Sequence, residues 1–397
     1  MMPQDADLPR VASPSERRDT VAPARTDDPD RGHAASNAAQ KQHHARAPLA
    51  ATVAQVHEFD EVIDVRSPGE FAEDHVIGAI NCPVLDDRER AEVGTLYKQN
   101  AFDAKKRGAA MVSANIARHL SGRLLDRPRG WRPLVYCWRG GGRSDAFVHV
   151  LTQVGWRVAR LDGGYKAYRR AVVADLETLP SAFSWRVLCG LTGTGKSRLL
   201  RALADAGAQV LDLEALAAHR GSVLGTMPEA PQPTQKMFDS LLWDALSRFD
   251  ARRPVFVEGE SRKIGRLRVA DALIDAMWGS PCVVLDAPLA VRGALLMEEY
   301  AHYVADPESL CEKLACLTAL HGGQTIKAWQ TMARERRWDA LVEALLVRHY
   351  DPAYNRSTLK HYPALAHAPH YTLGDVSASA FDRLAQVVLE AGTVRAA

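Results

Sequence analysis

The sequence is poor in cysteine and contains no long apolar run. Six cysteines in 397 residues are too few, and too irregularly spaced, for a disulfide scaffold. Cys311 and Cys316 in CEKLAC lack the close spacing and the matching second pair of a zinc site. No segment approaches the roughly 20 apolar residues that cross a bilayer. The sequence therefore predicts reduced thiols, no membrane partner and a cytoplasmic location.

Net charge is also nearly absent. At a formal +2, the chain has no global field for nucleic acid, so any such surface must come from local basic patches. Residues 1–51 contain Pro, Ala, Arg, His and Asp without periodicity. They have no apolar core of a signal peptide, and the acids mixed with the arginines argue against a transit peptide. We predict a disordered tail for this segment.

From Thr52 onward, short apolar strands alternate with helices, which is typical of a parallel sheet covered on both faces. The alternation restarts after TLPSAFS with the strand WRVLC. The pattern predicts an α/β protein with two parallel-sheet domains, 52–175 and 182–397. The second domain is expected to end in an almost wholly helical part after Pro288.

The segment GLTGTGKS lies between the strand WRVLC and the helix RLLRALADAG and has the full spacing of a Walker A loop. The amides of such a loop form an anion site at a helix N-terminus. The lysine adds a positive charge, and the serine hydroxyl can hold Mg²⁺. A glycine-rich turn is the alternative interpretation. The predicted phosphate-binding residues are Gly190, Gly193, Gly195, Lys196 and Ser197.

Acidic residues end three strands of the second domain: Asp212, Glu258 and Asp286. Glu258 follows VFV as a Walker B acid would, and its alternative role is an N-cap for the next helix. A basic cluster comes next, at the sheet edge where ligands of open α/β sheets bind. It is either a ligand-binding patch or an ordinary solvated face. Its members are Arg262, Lys263, Arg266 and Arg268.

The segment CWRGGGRS follows the apolar strand PLVY and precedes a helix. Its small residues can wrap amides around an anion while the helix dipole and two arginines favour the thiolate of Cys137. A structural cysteine needs neither feature, so we predict a catalytic one. Two chemistries stay open at this point. Cys-x5-Arg is the spacing of cysteine phosphatases, whereas the other chemistry is transfer of a sulfur or selenium atom carried on the thiolate.

The residues around this loop resemble the rhodanese domain across nearly all of 52–172. The resemblance implies that most matching positions build the fold and that Cys137 alone is catalytic. The loop is one residue longer than the usual sulfur-transferring loop, which suits a donor with a phosphate-sized group. The matching positions are Asp64, Arg66, Glu70, Phe71, His75, Gly78, Ala79, Asn81 and Pro83.

The order of motifs along both domains resembles that of the tRNA 2-selenouridine synthase family, from about Val62 to the C-terminal helices. The motifs are CWRGGGRS, GGYKAYR, GLTGTGKS, HRGS, PTQKMF and VEGESRKIG. The resemblance implies a two-domain α/β enzyme, rhodanese-like and then P-loop NTPase-like. The implied reaction replaces the sulfur of wobble-position 2-thiouridine in tRNA with selenium from selenophosphate. It passes through an S-geranyl intermediate formed with geranyl diphosphate.

The resemblance also implies roles for residues and partners. Cys137 would carry the selenium as an S-selanyl group, while the P-loop would bind the geranyl diphosphate. The residues themselves leave open whether that loop binds a nucleotide instead, with or without Mg²⁺. Expected partners are the tRNA anticodon loop and a selenophosphate-producing enzyme, with the chain a monomer. The residues expected to bind the donor phosphate are Arg139, Gly140, Gly141, Gly142 and Arg143.

Three basic patches are candidates for RNA contact: Lys105–Arg107, the 262–268 cluster and RERR at 334–337. Each has the alternative interpretation of a solvated face. Phe238 and Trp243 are candidates for a geranyl pocket, although an aromatic stripe on a helix is commonly core. Two other functions compete. One is a sulfurtransferase or phosphatase fused to an ATP-dependent small-molecule kinase, and the other is a non-catalytic module that senses phosphorylated ligands.

Overall fold

The computed structural model describes residues 49–228 and 230–394. The predicted tail lies outside the described residues except at its end. There, Leu49–Ala51 form a strand that pairs in parallel with Ala159–Leu161, so the first domain starts earlier than predicted. A three-residue strand is too short to show periodicity, and its place in the sheet depends on backbone pairing with a segment that comes much later in the chain.

The first domain contains a five-stranded, all-parallel sheet with the strand order β1-β5-β4-β2-β3. The apolar runs of the sequence form its central strands, and these strands are buried because helices cover both faces. The strands are β1 (Leu49–Ala51), β2 (Glu61–Asp64), β3 (Ile80–Asn81), β4 (Pro133–Tyr136) and β5 (Ala159–Leu161). The helices are α1 (Pro68–Glu73), α2 (Asp87–Gln99), α3 (Ala101–Ser121), α4 (Gly142–Val154) and α5 (Gly164–Thr178), with a 3-10 helix at Val53–Glu58.

The second domain repeats the architecture with a five-stranded parallel sheet of order β12-β11-β6-β8-β7. Its strands are β6 (Trp185–Cys189), β7 (Gln209–Leu211), β8 (Val255–Glu258), β11 (Cys282–Asp286) and β12 (His370–Thr372). A small antiparallel pair is formed by β9 (Lys263–Ile264) and β10 (Leu267–Arg268). The helices among these strands are α6 (Lys196–Asp205), α7 (Leu213–Ala217), α8 (Gln235–Ser247) and α9 (Asp271–Trp278), with a 3-10 helix at Leu179–Ala182 between the domains. The predicted α/β class is confirmed.

The part after Pro288 is mostly helical, as predicted, except that β12 returns to the edge of the second sheet. A π-helical turn, Leu346–Tyr350, connects two of its helices, and a 3-10 helix spans Pro363–His367. Its other helices are α10 (Leu289–Glu299), α11 (Ala301–Ala305), α12 (Pro307–Ala315), α13 (Thr318–His321), α14 (Gly323–Arg334), α15 (Trp338–Leu345), α16 (Asp351–His361) and α17 (Ala378–Val394). No helix among the described residues is long and apolar enough to cross a membrane.

One apolar core continues from the first domain into the second. Tyr168 and Val172 of α5 lie in the same buried cluster as Phe238, Leu242 and Trp243 of α8. Phe238 and Trp243 are therefore core residues, and the idea that they form a geranyl pocket is wrong. The shared core means that the two domains pack against each other through α5 and α8.

Candidate active site

Cys137 directly follows β4, and the loop after it leads into α4. Its Sγ lies 3.3 Å from the amide nitrogen of Gly141, which donates to it, and 3.2 Å from Ser144 Oγ. Both contacts come from the turn that starts α4, so the helix N-terminus faces the sulfur. This is the anion-binding geometry that the spacing of CWRGGGRS predicts.

These contacts control the ionisation of Cys137. The side chain is 4% exposed, and burial opposes ionisation. The hydrogen bond with Ser144 Oγ and the amides of Gly141, Ser144 and Arg139 outweigh burial, and together they hold the pKa of Cys137 below its ordinary value. The thiolate is the nucleophilic form of cysteine, so the loop keeps this sulfur reactive.

The two arginines of the loop differ in their surroundings. Arg139 is exposed, and its guanidinium forms no ion pair with any residue in the described part of the chain. The Arg143 guanidinium instead pairs with Glu70 of α1, with Nη1 2.7 Å from Oε2. Arg139 thus has no acidic partner in the described part of the chain, whereas Arg143 ties the loop to α1.

The cysteine loop rests on the turn that begins α5. Tyr165 and Lys166 donate their amides to the carbonyl oxygens of Cys137 and Trp138, at 2.9 and 3.0 Å. Gly164 has a φ of +58°, and a Cβ there would lie 2.4 Å from the Cys137 oxygen. Only glycine allows this close approach. The GGY of LDGGYKAY therefore supports the cysteine loop.

The other rhodanese-like positions build the frame beneath the loop. Arg66, 1% exposed, makes a bidentate pair with Asp64, donates to the carbonyl of Asp74 and lies over the ring of Tyr165. Tyr165 in turn donates its hydroxyl to the Asp74 carboxylate at 2.8 Å. These residues hold the frame by pairing with one another rather than facing a ligand, which agrees with the fold-building role that the resemblance implies.

The predicted Walker A loop joins β6 to α6. Gly190 approaches the neighbouring strand so closely that a Cβ would lie 2.3 Å from the Leu285 carbonyl oxygen. The Gly190 amide donates to the Tyr354 hydroxyl at 2.6 Å. Lys196 Nζ donates to the carbonyl of Gly190 at 2.8 Å, and thus lies back along the loop. The loop has the strand–loop–helix setting that phosphate binding requires.

Ser197 bonds to an acidic residue that lies outside the predicted set. Ser197 Oγ donates to Glu214 Oε2 at 3.0 Å. Glu214 and the half-buried Glu260 both line the cavity beside the loop. Burial is the main reason that the pKa of Glu214 rises to about 7 and that of Glu260 to about 8, with neighbouring carboxylates adding to it.

Glu258, the predicted Walker B acid, does not line that cavity. It is 1% exposed and accepts a hydrogen bond from the amide of Glu214 at 2.9 Å. Burial is the largest cause that raises its pKa well above the usual value. Asp212 caps α7, and Asp286 pairs with His370. Sequence reasoning missed Glu214 and Glu260 because neither ends a strand, although Glu260 stands in the quoted VEGESRKIG.

A cavity of about 380 Å³ opens beside the Walker A loop. Its polar wall contains Lys196, Ser197, Glu214, Arg220 and Glu260. A second, apolar cavity of about 60 Å³ adjoins it under the C-terminal helices. Both cavities are lined by Thr192, Leu296, Tyr300 and Tyr350. The two cavities therefore share part of their walls.

No side chain of the predicted basic patches lines this cavity. Ser261, which precedes the 262–268 cluster, does line it. Arg262 pairs with Asp271 and Asp275. Lys263 is exposed in the short strand β9. In the RERR segment, Arg334 pairs with Glu308 and Arg337 with Glu335.

Fold and site together define the class of protein: a rhodanese-like domain with an activated cysteine, joined to a P-loop domain. Comparisons with family models agree. Residues 47–171 match the rhodanese-like domain, and residues 183–316 match the tRNA 2-selenouridine synthase AAA domain. The chain belongs to the tRNA 2-selenouridine synthase family.

Similarity to curated relatives supports this family assignment. The chain is 35% identical to tRNA 2-selenouridine synthase of Hydrogenovibrio crunogenus over 74% of its own length and 88% of that protein. It is 37% identical to the protein of the same name from Nitrosomonas europaea, with 60% and 63% of the two chains covered. A relative from Aeromonas salmonicida is 35% identical, with 65% and 70% covered.

Proposed function

We propose that the protein exchanges the sulfur of 2-thiouridine at the tRNA wobble position for selenium. Cys137 carries selenium taken from selenophosphate, and the P-loop binds geranyl diphosphate. Family membership supports selenation of tRNA. The finer scheme depends on one observation, the apolar cavity that adjoins the phosphate cavity.

The two adjoining cavities favour a prenyl diphosphate over a nucleotide. A nucleotide places a ribose and a base next to its phosphates, and these groups need hydrogen-bonding partners. The adjoining space is instead lined by aliphatic and aromatic side chains, among them Leu310, Leu341 and Leu345. Its volume of about 60 Å³ suits the end of a short prenyl chain, with the remainder lying in the larger cavity.

The order of steps has a chemical reason. A thiocarbonyl sulfur is a poor leaving group, so the reaction begins by alkylating it. The sulfur attacks C1 of the geranyl group, diphosphate departs and the base loses its N3 proton. The Cys137 thiolate attacks the selenium of selenophosphate, so that an Sγ–Se bond forms and the Se–P bond breaks with phosphite as the leaving group. The selenium held on Cys137 then attacks C2 of the S-geranyl base, a C–Se bond forms and geranylthiolate leaves. A second thiol from a cellular thiol reductant attacks Cys137 Sγ and forms a disulfide with it, which releases the 2-selenouridine and returns a proton to N3. Two easier steps thus replace a hard one.

Each site contributes the groups that these steps need. The amide of Gly141 and the hydroxyl of Ser144 stabilise the Cys137 thiolate, and exposed Arg139 attracts the anionic selenium donor. At the P-loop, Lys196 neutralises charge on the departing diphosphate. Ser197 and Glu214 are oxygen donors of the type that Mg²⁺ binds while keeping several waters, so they would hold a magnesium ion beside the diphosphate.

The scheme is tested by nucleoside mass analysis of 2-thiouridine-containing tRNA incubated with the protein, selenophosphate and geranyl diphosphate. We expect Cys137→Ser to abolish selenium entry while the geranylated nucleoside accumulates. Lys196→Ala should block geranylation. In the same assay, Val342→Phe, which narrows the apolar cavity, should raise KM for geranyl diphosphate about tenfold and leave selenation of pre-geranylated tRNA unchanged.

The matched control is Val347→Phe, which adds the same volume at a 54% exposed position of the neighbouring π-helical turn. An unchanged KM in Val342→Phe would remove the apolar cavity from the scheme. Selenation that requires ATP and proceeds without geranyl diphosphate would show that the loop is a nucleotide site.

A further inference from the structure

Helix α2 and the first half of α3 form a helical arm, residues 87–111, whose buried residues are the small Ala104 and Gly108 of α3. None of the residues 86–111 belongs to an apolar core cluster, and α2 has no buried residue. The two helices contact each other: the Val93 side chain lies against Gly108, and Arg107 pairs with Glu92. A segment this long that contributes no residue to those clusters is free to serve recognition.

The arm begins beside the cysteine loop. Arg90 in its first helix pairs with Glu70, which also binds Arg143 of the loop. Asn115 of α3 bonds to the Val84 carbonyl, just beyond β3, and to Glu89. The helical segment from Ala101 to Asn115 is roughly 20 Å long, and Asn115 and Val112 hold its C-terminal part against the first domain.

The outer end of the arm carries aromatic and basic side chains. Tyr97 is 55% exposed and Phe102 is 69% exposed. The segment YKQNAFDAKKR, residues 97–107, contains four basic residues and one acid. Exposed aromatic rings among cations are the combination that binds unpaired bases by stacking and phosphates by charge.

The other basic patches that the sequence singled out are partly neutralised, although Lys263 and Arg266 have no ion-pair partner among the described residues. Arg262 faces two aspartates, and Arg268 and Arg334 each pair with an acid. At the end of the arm, only Lys106 of the three lysines pairs with an acid, Asp103. Lys98 and Lys105 are exposed without an ion-pair partner among the described residues. The end of the arm thus keeps an excess of positive charge next to its aromatic rings.

We propose that the end of the arm binds the tRNA. Tyr97 and Phe102 stack on unpaired bases, while Lys98, Lys105 and Lys106 contact phosphates. The arm then holds the RNA on the side where its base meets the cysteine loop. This inference relies on the tRNA substrate of the proposed function, but not on the selenium or geranyl steps.

The test is the affinity of the full chain for 2-thiouridine-containing tRNA, measured by fluorescence anisotropy at several salt concentrations without selenium or prenyl donor. Tyr97→Ala with Phe102→Ala should weaken binding about tenfold, the typical effect of losing a stacking platform. Lys98→Ala with Lys105→Ala should weaken it further at low salt and lower the salt slope by about two.

Matched controls are Leu125→Ala with Leu320→Ala, which removes two exposed apolar side chains elsewhere, and Lys327→Ala, which removes an exposed cation. Cys137 alkylation should stay at the wild-type rate in every variant, which shows that the fold is intact. Affinity within twofold of wild type in both arm variants overturns the proposal. If the two arm variants keep their affinity for tRNA but change the oligomeric state of the protein in solution, the end of the arm is a protein contact instead.

Discussion

At the scale of single residues, hydrogen-bond donors decide which thiol is reactive. Cys82 and Cys137 are both buried in the first domain. Burial raises the pKa of Cys82 to about 11. The pKa of Cys137 is lowered despite burial because Ser144 Oγ and the amides of the turn bond to its sulfur. The sequence indicated an activated cysteine through the glycines of the loop, but not the part of Ser144.

We expect Ser144→Ala to raise the pKa of Cys137 by about one unit, since a hydrogen bond to a charged group contributes about 1.5–3 kcal/mol. At pH values on the acid side of the pKa, the thiolate fraction then falls about tenfold. The rate of alkylation by iodoacetamide as a function of pH measures this, and the whole profile should move to higher pH. Thr152→Val removes another hydroxyl of α4, one without a hydrogen-bond partner, and should leave the profile in place. A profile that does not move in Ser144→Ala would contradict this account.

At the scale of elements, both candidate sites are loops between a strand and a helix. The cysteine loop is held from below by the start of α5, and the Walker A loop passes close to β11. The motifs themselves were evident in the sequence. Their supports were not, because Gly164 and Leu285 are brought to the loops by strand order rather than by spacing along the chain.

Replacing Gly164 with alanine should displace the cysteine loop, because its Cβ would come within 2.4 Å of the Cys137 carbonyl oxygen. We expect Cys137 alkylation to slow more than tenfold and stability to fall by about 1–3 kcal/mol. Gly78→Ala is the control. It has a positive φ of +80° but nothing within 4 Å of its added carbon, so it tests backbone strain alone. Equal alkylation rates in the two variants would mean that the turn does not support the loop.

At the scale of the whole molecule, α5 and α8 join the two domains. Arg169 pairs with Asp239, and Trp243 donates its indole N–H to Asp175 at 2.8 Å. Lys236 and Thr234, both in the PTQKMF motif, reach Glu73 of the first domain. That motif, which the sequence left without a role, belongs to the junction between the domains.

Arg169→Ala should weaken this junction by about 2 kcal/mol, because it leaves a half-buried aspartate without its charged hydrogen-bond partner. Urea unfolding followed by tryptophan fluorescence should then show two transitions instead of one. Arg252→Ala breaks a surface pair with Asp250 in which the arginine side chain is 89% exposed, and it should leave the curve unchanged. One unaltered transition in Arg169→Ala would mean that the ion pair does not couple the domains.

The sequence alone determined the α/β class, the cysteine loop and the Walker A loop, because each depends on residues a few positions apart and on backbone amides at a helix N-terminus. Only the tertiary structure decided that Arg143 pairs with Glu70, that Glu214 and Glu260 line the cavity beside the Walker A loop, and that an apolar cavity shares its wall. Cavities and ion pairs of this kind join segments far apart in the chain, such as Thr192 and Tyr350, and their positions follow from how helices pack on the sheet.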